Sequence, residues 1–198
     1  MKNLSDGNLP AILFVLVLVC WLVFVLTFLL RKKLPLAPDQ RRDTGSIPGV
    51  LLQGFSYPIL WITWRPLFTS FVSFQTASVI LEIIAGAIAI GSVVLGFAAV
   101  KTLGKEWSIT ARVLTGHKLA TEGPYSFVRH PIYTAMFGML FASGIAISYW
   151  PGLVVALFVF WSGTIIRIRS EERLLRETFG AEFETYKQRV PALVPGLY

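Results

Sequence analysis

Seven side chains able to hold charge or share a proton, His117, Tyr125, Arg129, His130, Tyr133, Arg167 and Glu171, stand in two short stretches of an otherwise apolar chain. The first stretch runs through "GPYSFVRHPIY" into an apolar segment, and the second, "RIRSEER", follows directly on another. Ionisable groups are costly to desolvate at such a boundary. Taken singly, each has an ordinary explanation. Arg129 reads as a snorkelling arginine reaching for lipid phosphates, and His130 with Pro131 as a helix start with proline in its first turn. Tyr125 and Tyr133 suit an aromatic belt, and Arg167 with Glu171 a pair one helical turn apart. Together they combine donors, aromatic faces and an isolated carboxylate, which suits a polar cofactor held beside lipid.

The elements that must position these groups follow from hydropathy. Residues 131–166 form an apolar stretch with a turn signal, "SYWPG", near its middle, which predicts a helical hairpin whose arms are slightly short for two perpendicular spans. Both open ends of a hairpin return to one side, so the segment before Pro131 meets the segment after Ile166. A charged helix then runs to a C-cap at Gly180. A shorter amphipathic helix over 181–190 follows, with Phe183, Tyr186 and Val190 on one side. Upstream, residues 9–30 carry no charge over the roughly twenty positions needed to cross a bilayer, and "RKK" stops them. That run is too long for a signal-peptide core and shows no small-x-small cleavage site, so a retained span is expected. Residues 47–64 carry Pro48, Gly49, Gly54 and Pro58 and predict a kinked helix. Residues 76–100 place Ala85, Ala89, Ser92 and Gly96 at a spacing for close helix approach, with Glu82 expected at the outer interface. The polar stretch 101–130 is too long for a plain connector.

The expectation is therefore an all-α, polytopic integral membrane protein of about five transmembrane helices, ending in the hairpin. It forms a single domain over 1–198, with N-terminal helices in 1–100 and a functional half in 101–198. Composition agrees: 55% of the 198 residues are hydrophobic and 15% charged, outside the soluble range. The net charge is +7, and every lysine and arginine except Lys2 and Arg65 falls on one predicted side. The positive-inside rule then puts the N-terminus outside and the C-terminus, with the site, in the cytoplasm. The basic residues are not interleaved with aromatics as a nucleic-acid surface would require. The lone Cys20 excludes an intramolecular disulfide, and no Cys or His cluster invites a metal.

The stretch "GHKLATEGPYSFVRHPIY", an apolar hairpin, and then "EERLLRETFGAEFETYKQRVPALVPGLY" resemble the membrane methyltransferases of the isoprenylcysteine carboxyl methyltransferase family, relatives of the phospholipid methyltransferases. The resemblance covers about 104–195 and implies an all-helical fold that uses S-adenosylmethionine. Consistently, no G-x-G-x-x-G loop follows a strand. By position, the family's cofactor-binding His-x-Leu segment falls on His117, Lys118, Leu119 and Ala120, where valine is common in place of Ala120 and a backbone contact tolerates the change. Tyr125 takes the place of a cofactor-contacting tyrosine. His130, Pro131, Ile132 and Tyr133 fill the His-Pro-x-Tyr position, and Glu171 that of a cofactor-binding glutamate, suited to the methionyl ammonium. Arg167 matches the arginine assigned to the acceptor, while Glu172 reads as structural. Arg167, His130 and Tyr133 are the expected catalytic groups, and no metal is implied.

The acceptor, a lipophilic or lipidated molecule arriving from membrane lipid, stays open between a prenylated cysteine carboxylate, a phospholipid amine and a thiol. A carboxylate is ionised and needs no base; an amine or thiol would pass its proton to His130 or Tyr133. Two other classes compete. One is an NADPH-dependent reductase resembling the sterol reductases, which share a similar C-terminal arrangement but are longer with more spans. The other is a non-catalytic membrane scaffold.

Overall fold

Twenty-two residues without a charged side chain form the first helix, α1 (Asn8–Leu29). In the computed structural model, which describes residues 8–30, 39–66, 69–104, 112–114 and 118–193, five further helices follow. They are α2 (Ile47–Ile62), α3 (Gln75–Leu103), α4 (Pro131–Ile147), α5 (Trp150–Phe179) and α6 (Ala181–Arg189). A small antiparallel ribbon of β1 (Asp39–Arg42) and β2 (Arg112–Leu114) pairs the segment ahead of α2 with the one after α3. Otherwise the described chain is all-α.

Helices α1, α3 and α5 are long and apolar enough to cross a membrane. Helix α4 has 17 residues, about 25 Å at 1.5 Å per residue, and falls short of the roughly 30 Å hydrocarbon layer. Its partner departs from the short arm expected of the hairpin. Helix α5 continues unbroken for 30 residues, because nothing between Ile166 and Phe179 interrupts it before Gly180, which takes a positive φ of 51° at the C-cap. The charged segment is thus the rigid extension of an apolar helix.

The main packings are α2 on α5, α3 on α4 and α1 on α3. Leu13, Val17, Cys20 and Phe24 of α1 join Ala85 and Ala89 of α3 in a core completed by Met139, Leu140, Leu153 and Phe160 of the hairpin. The stripe of small residues on α3 is buried as its spacing predicts, and a Cβ on Gly96 would stand 2.7 Å from Phe24 Cε2. Between α2 and α5 the backbones themselves touch. A Cβ on Gly49 would come within 2.6 Å of both the Gly163 carbonyl oxygen and Arg167 Cγ. Large apolar side chains such as Ile12, Leu22, Ile83, Val94 and Phe158 are exposed, a surface suited to lipid.

At the hairpin's turn end, Arg65 is 4% exposed and donates to the Ile145 and Ser148 carbonyls at 2.6 Å each, capping the negative end of α4. Glu82 corrects an expectation. Its side chain is enclosed in the protein rather than open to headgroups, and it accepts a hydrogen bond from Ser78 Oγ at 2.8 Å. A serine one turn earlier on the same helix gives the carboxylate a partner away from water. At the opposite end, Asp43 accepts from Ser170 Oγ at 2.7 Å and from Arg173, tying the start of α2 to the extension of α5.

Candidate functional site

Proline at the first position of α4 costs no hydrogen bond there and places His130 as the capping residue, whose carbonyl accepts from the Tyr133 and Thr134 amides. The chain just before α4 is held from outside. Arg129 N donates to the Pro191 carbonyl at 2.8 Å and His130 N to the Ala192 carbonyl at 2.9 Å, while Thr134 Oγ1 donates to the Leu193 carbonyl at 2.9 Å. Tyr125 lies in a 3-10 turn, Gly123–Ser126, and its carbonyl accepts from Tyr186 Oη of α6 at 2.6 Å. A single short stretch after α6 and one α6 tyrosine therefore set the loop that carries the candidate residues.

The other wall comes from α5, where Arg167 and Glu171 are one turn apart and Nη2 stands 3.7 Å from Oε1. Tyr133 Oη donates to Glu171 Oε1. His130 lies between two carboxylates, with Nδ1 3.4 Å from Glu171 Oε2 and Nε2 3.5 Å from Glu172 Oε1. The His130 and Tyr133 rings stack at 5.5 Å with 12° between planes, and the Arg167 guanidinium carbon sits 4.6 Å from the Tyr133 ring centre. Burial pulls the His130 pKa down, but hydrogen bonds and charge from Glu171 and Glu172 outweigh it and raise it above the usual histidine value. For Tyr125, burial and then the Glu171 charge raise the pKa, which keeps the phenol neutral. Glu171 is the opening in this cluster: its side chain is 23% exposed, against 7% for His130 and 8% for Arg167.

Tyr125, His130, Tyr133, Arg167 and Glu171 thus gather at one end of the hairpin, and the two-part sequence pattern closes in space. Pro131 is buried and Ile132 half-buried at the start of α4. Lys118 is exposed, and Leu119 and Ala120 are half-buried in the irregular chain leading to the turn. His117 lies outside the described residues. Arg129 is a correction. It is 7% exposed and bonds Glu172 Oε1 through Nε at 2.9 Å and Nη2 at 2.7 Å, while Nη1 donates to the Val190 carbonyl. Lys187 Nζ takes the other Glu172 oxygen at 2.8 Å. A buried carboxylate and free carbonyls offer a guanidinium more than headgroups do, so it turns inward.

Sequence reasoning also missed Gln53 of α2, 1% exposed, whose Oε1 accepts from Arg167 Nη1 at 2.8 Å. The signal was present. Gln53 is the one amide in an apolar run, spaced with Gly49, Ser56 and Leu60 at i, i+4, i+7 and i+11, and these four are the buried face of α2. Beside the cluster, Tyr133, Phe137, Phe160, Trp161 and Thr164 line a small apolar recess between α4 and α5. Tyr133 belongs to both.

Residues 83–177 match the isoprenylcysteine carboxyl methyltransferase family. This segment belongs to that family. Among curated relatives, protein-S-isoprenylcysteine O-methyltransferase of Saccharomyces cerevisiae is 33% identical over 99 residues, which are 49% of this chain and 41% of that protein. Protein-S-isoprenylcysteine O-methyltransferase B of Arabidopsis thaliana is 32% identical over 99 residues, 49% of this chain and 50% of its own. Methanethiol S-methyltransferase 1 of Bradyrhizobium diazoefficiens is 29% identical over 161 residues, 74% of this chain and 53% of that protein. The chain spans about half the length, or less, of these relatives. The family segment contains Tyr125, His130, Tyr133, Arg167 and Glu171 and excludes Gln53 and Lys187.

Proposed function

We propose that this protein is a membrane methyltransferase that uses S-adenosylmethionine and acts on a lipophilic acceptor at the cytoplasmic face, as one domain over its whole length. The observation that carries the reading is the partly exposed Glu171 carboxylate, held by His130, Tyr133 and Arg167 beside an apolar recess that shares Tyr133. The donor set fits a cationic cofactor. Glu171 suits its ammonium, the tyrosine faces suit positive charge, and Tyr125, Pro131, Ile132 and the His117, Lys118, Leu119, Ala120 segment complete the set by resemblance. When bound, S-adenosylmethionine supplies a methyl already activated by its sulfonium. The chain's own part is to hold the partners, exclude water and place charge.

Arg167 suits a carboxylate acceptor, which it can hold through two parallel hydrogen bonds, and a prenylated cysteine carboxylate of a lipidated protein has the required apolar tail. Such an acceptor needs no base, in keeping with a His130 held toward its charged form by two carboxylates. A thiol acceptor is the second reading, favoured by the broad overlap with the Bradyrhizobium protein. It would require neutral His130 or the Tyr133 phenolate to take a proton, and its rate would climb with pH.

Purified full-length protein and labelled donor test this. Label should pass to N-acetyl-S-farnesylcysteine, and Glu171→Gln should weaken donor binding in calorimetry by about ten- to a hundredfold. Donor affinity unchanged in both Glu171→Gln and Tyr133→Phe would sink the site, while transfer to an alkanethiol alone would select the second reading. Binding of NADPH in place of the donor would point to a reductase, and binding of neither to a scaffold.

A further inference from the structure

Arg167 does not stand alone on α5: it ends a chain of oriented hydrogen bonds that begins inside the helix pair. Thr164 Oγ1 donates to the Phe160 carbonyl at 2.8 Å, which leaves the hydroxyl oxygen as an acceptor. Gln53 Nε2 donates to that oxygen at 2.8 Å. The amide is thereby fixed with its oxygen toward Arg167, whose Nη1 donates to Oε1 at 2.8 Å. Gln53 and Thr164 are each 1% exposed, so no solvent competes. The link spans a close helix contact, because the α2 and α5 backbones meet at Gly49 and Gly163, and a Cβ on Gly163 would stand 2.7 Å from the Gly49 carbonyl oxygen.

We infer that Gln53 is a positioning residue: the N-terminal half of the chain, through this one amide, sets the direction in which Arg167 presents its charge, and so selects for an anionic acceptor. A neutral amide is suited to the task. It holds a guanidinium by one acceptor without cancelling its charge, whereas a carboxylate in its place would pair with Arg167 and compete with the acceptor. Thr164 both fixes the amide and lines the apolar recess, so charge and tail recognition share one anchor. This inference rests on the assignment of Arg167 to the acceptor.

The test uses the full-length protein in detergent, with N-acetyl-S-farnesylcysteine and its methyl ester as probes in calorimetry. It also follows the Nη signals of Arg167 in ¹⁵N-arginine-labelled protein, identified by their loss in Arg167→Lys. In Gln53→Met, which keeps the side chain's length, affinity for the acid should fall about tenfold while the ester binds as before, and Arg167 should lose its restrained rotation. In Gln53→Glu the restraint should return, yet the acid should bind more weakly still. That opposite movement is one a purely structural role would not produce. Equal losses for acid and ester in Gln53→Met, or unchanged Arg167 signals, would overturn the inference. So would acid affinity that Arg167→Lys abolishes and Gln53→Met preserves, with the acceptor assignment then standing. If wild-type protein binds acid and ester alike, the acceptor assignment fails, and selection for an anion falls with it.

Discussion

His130 sits between Glu171 and Glu172 with both ring nitrogens facing carboxylates, so the folded protein holds the imidazole proton more tightly than the unfolded chain does. A raised folded pKa contributes stability that is complete below the ordinary histidine value and lost as pH rises through the folded one. The melting temperature of the purified protein should therefore decline on the alkaline side of about pH 6.5, and His130→Asn should flatten that decline. An equal slope in wild type and variant would show that His130 carries no linked proton. Arg129 belongs to the same scale. Removing it leaves the buried Glu172 with Lys187 and His130 as its remaining charge partners, and Arg129→Ala should cost about 3 to 5 kcal/mol in denaturant unfolding. Adding Glu172→Gln should recover part of this, since the two changes act on one pair.

Among the elements, the contact between α2 and α5 is the most sharply defined. Gly163→Ala would drive a methyl into the Gly49 carbonyl and the Leu52 side chain, and overpacking of this kind costs about 1 to 3 kcal/mol. Gly54→Ala, on the same α2 helix but with nothing within 4 Å of the added carbon, should instead leave the protein as stable or up to about 1 kcal/mol more stable. Similar melting temperatures for the two variants would contradict the close approach. The elements themselves were legible because apolar length and breakers are local properties. The span over 9–30, the small-residue stripe of α3 and the Gly180 cap all appear where the pattern predicts. The hairpin was legible in kind but not in proportion, since the apolar stretch ends at Ile166 while the helix, meeting no breaker, runs on to Phe179.

For the whole molecule, the proposed orientation has a direct check. In a Cys20→Ser background, Tyr149→Cys at the hairpin's turn should react with a membrane-impermeant maleimide in intact cells. Glu122→Cys, at the end that carries the site, should react only after permeabilisation; both positions are exposed in the fold. The reverse pattern would invert the topology.

Residue types and hydropathy alone yield the class of molecule and the groups at its boundary: an apolar helical chain with a tyrosine, a histidine, an arginine and a carboxylate brought together by a hairpin. Those conclusions need only hydropathy, spacing and the parity of a turn. Which charges are neutralised and which stay exposed follows from contacts between distant segments in the fold. Arg129 finds Glu172 across 43 residues and Arg167 finds Gln53 across 114, while the stretch after α6 clamps the start of α4. Such pairings depend on burial shared by distant segments, where a polar group bonds whichever partner lies within reach once water is gone, and no periodicity along the chain encodes that choice.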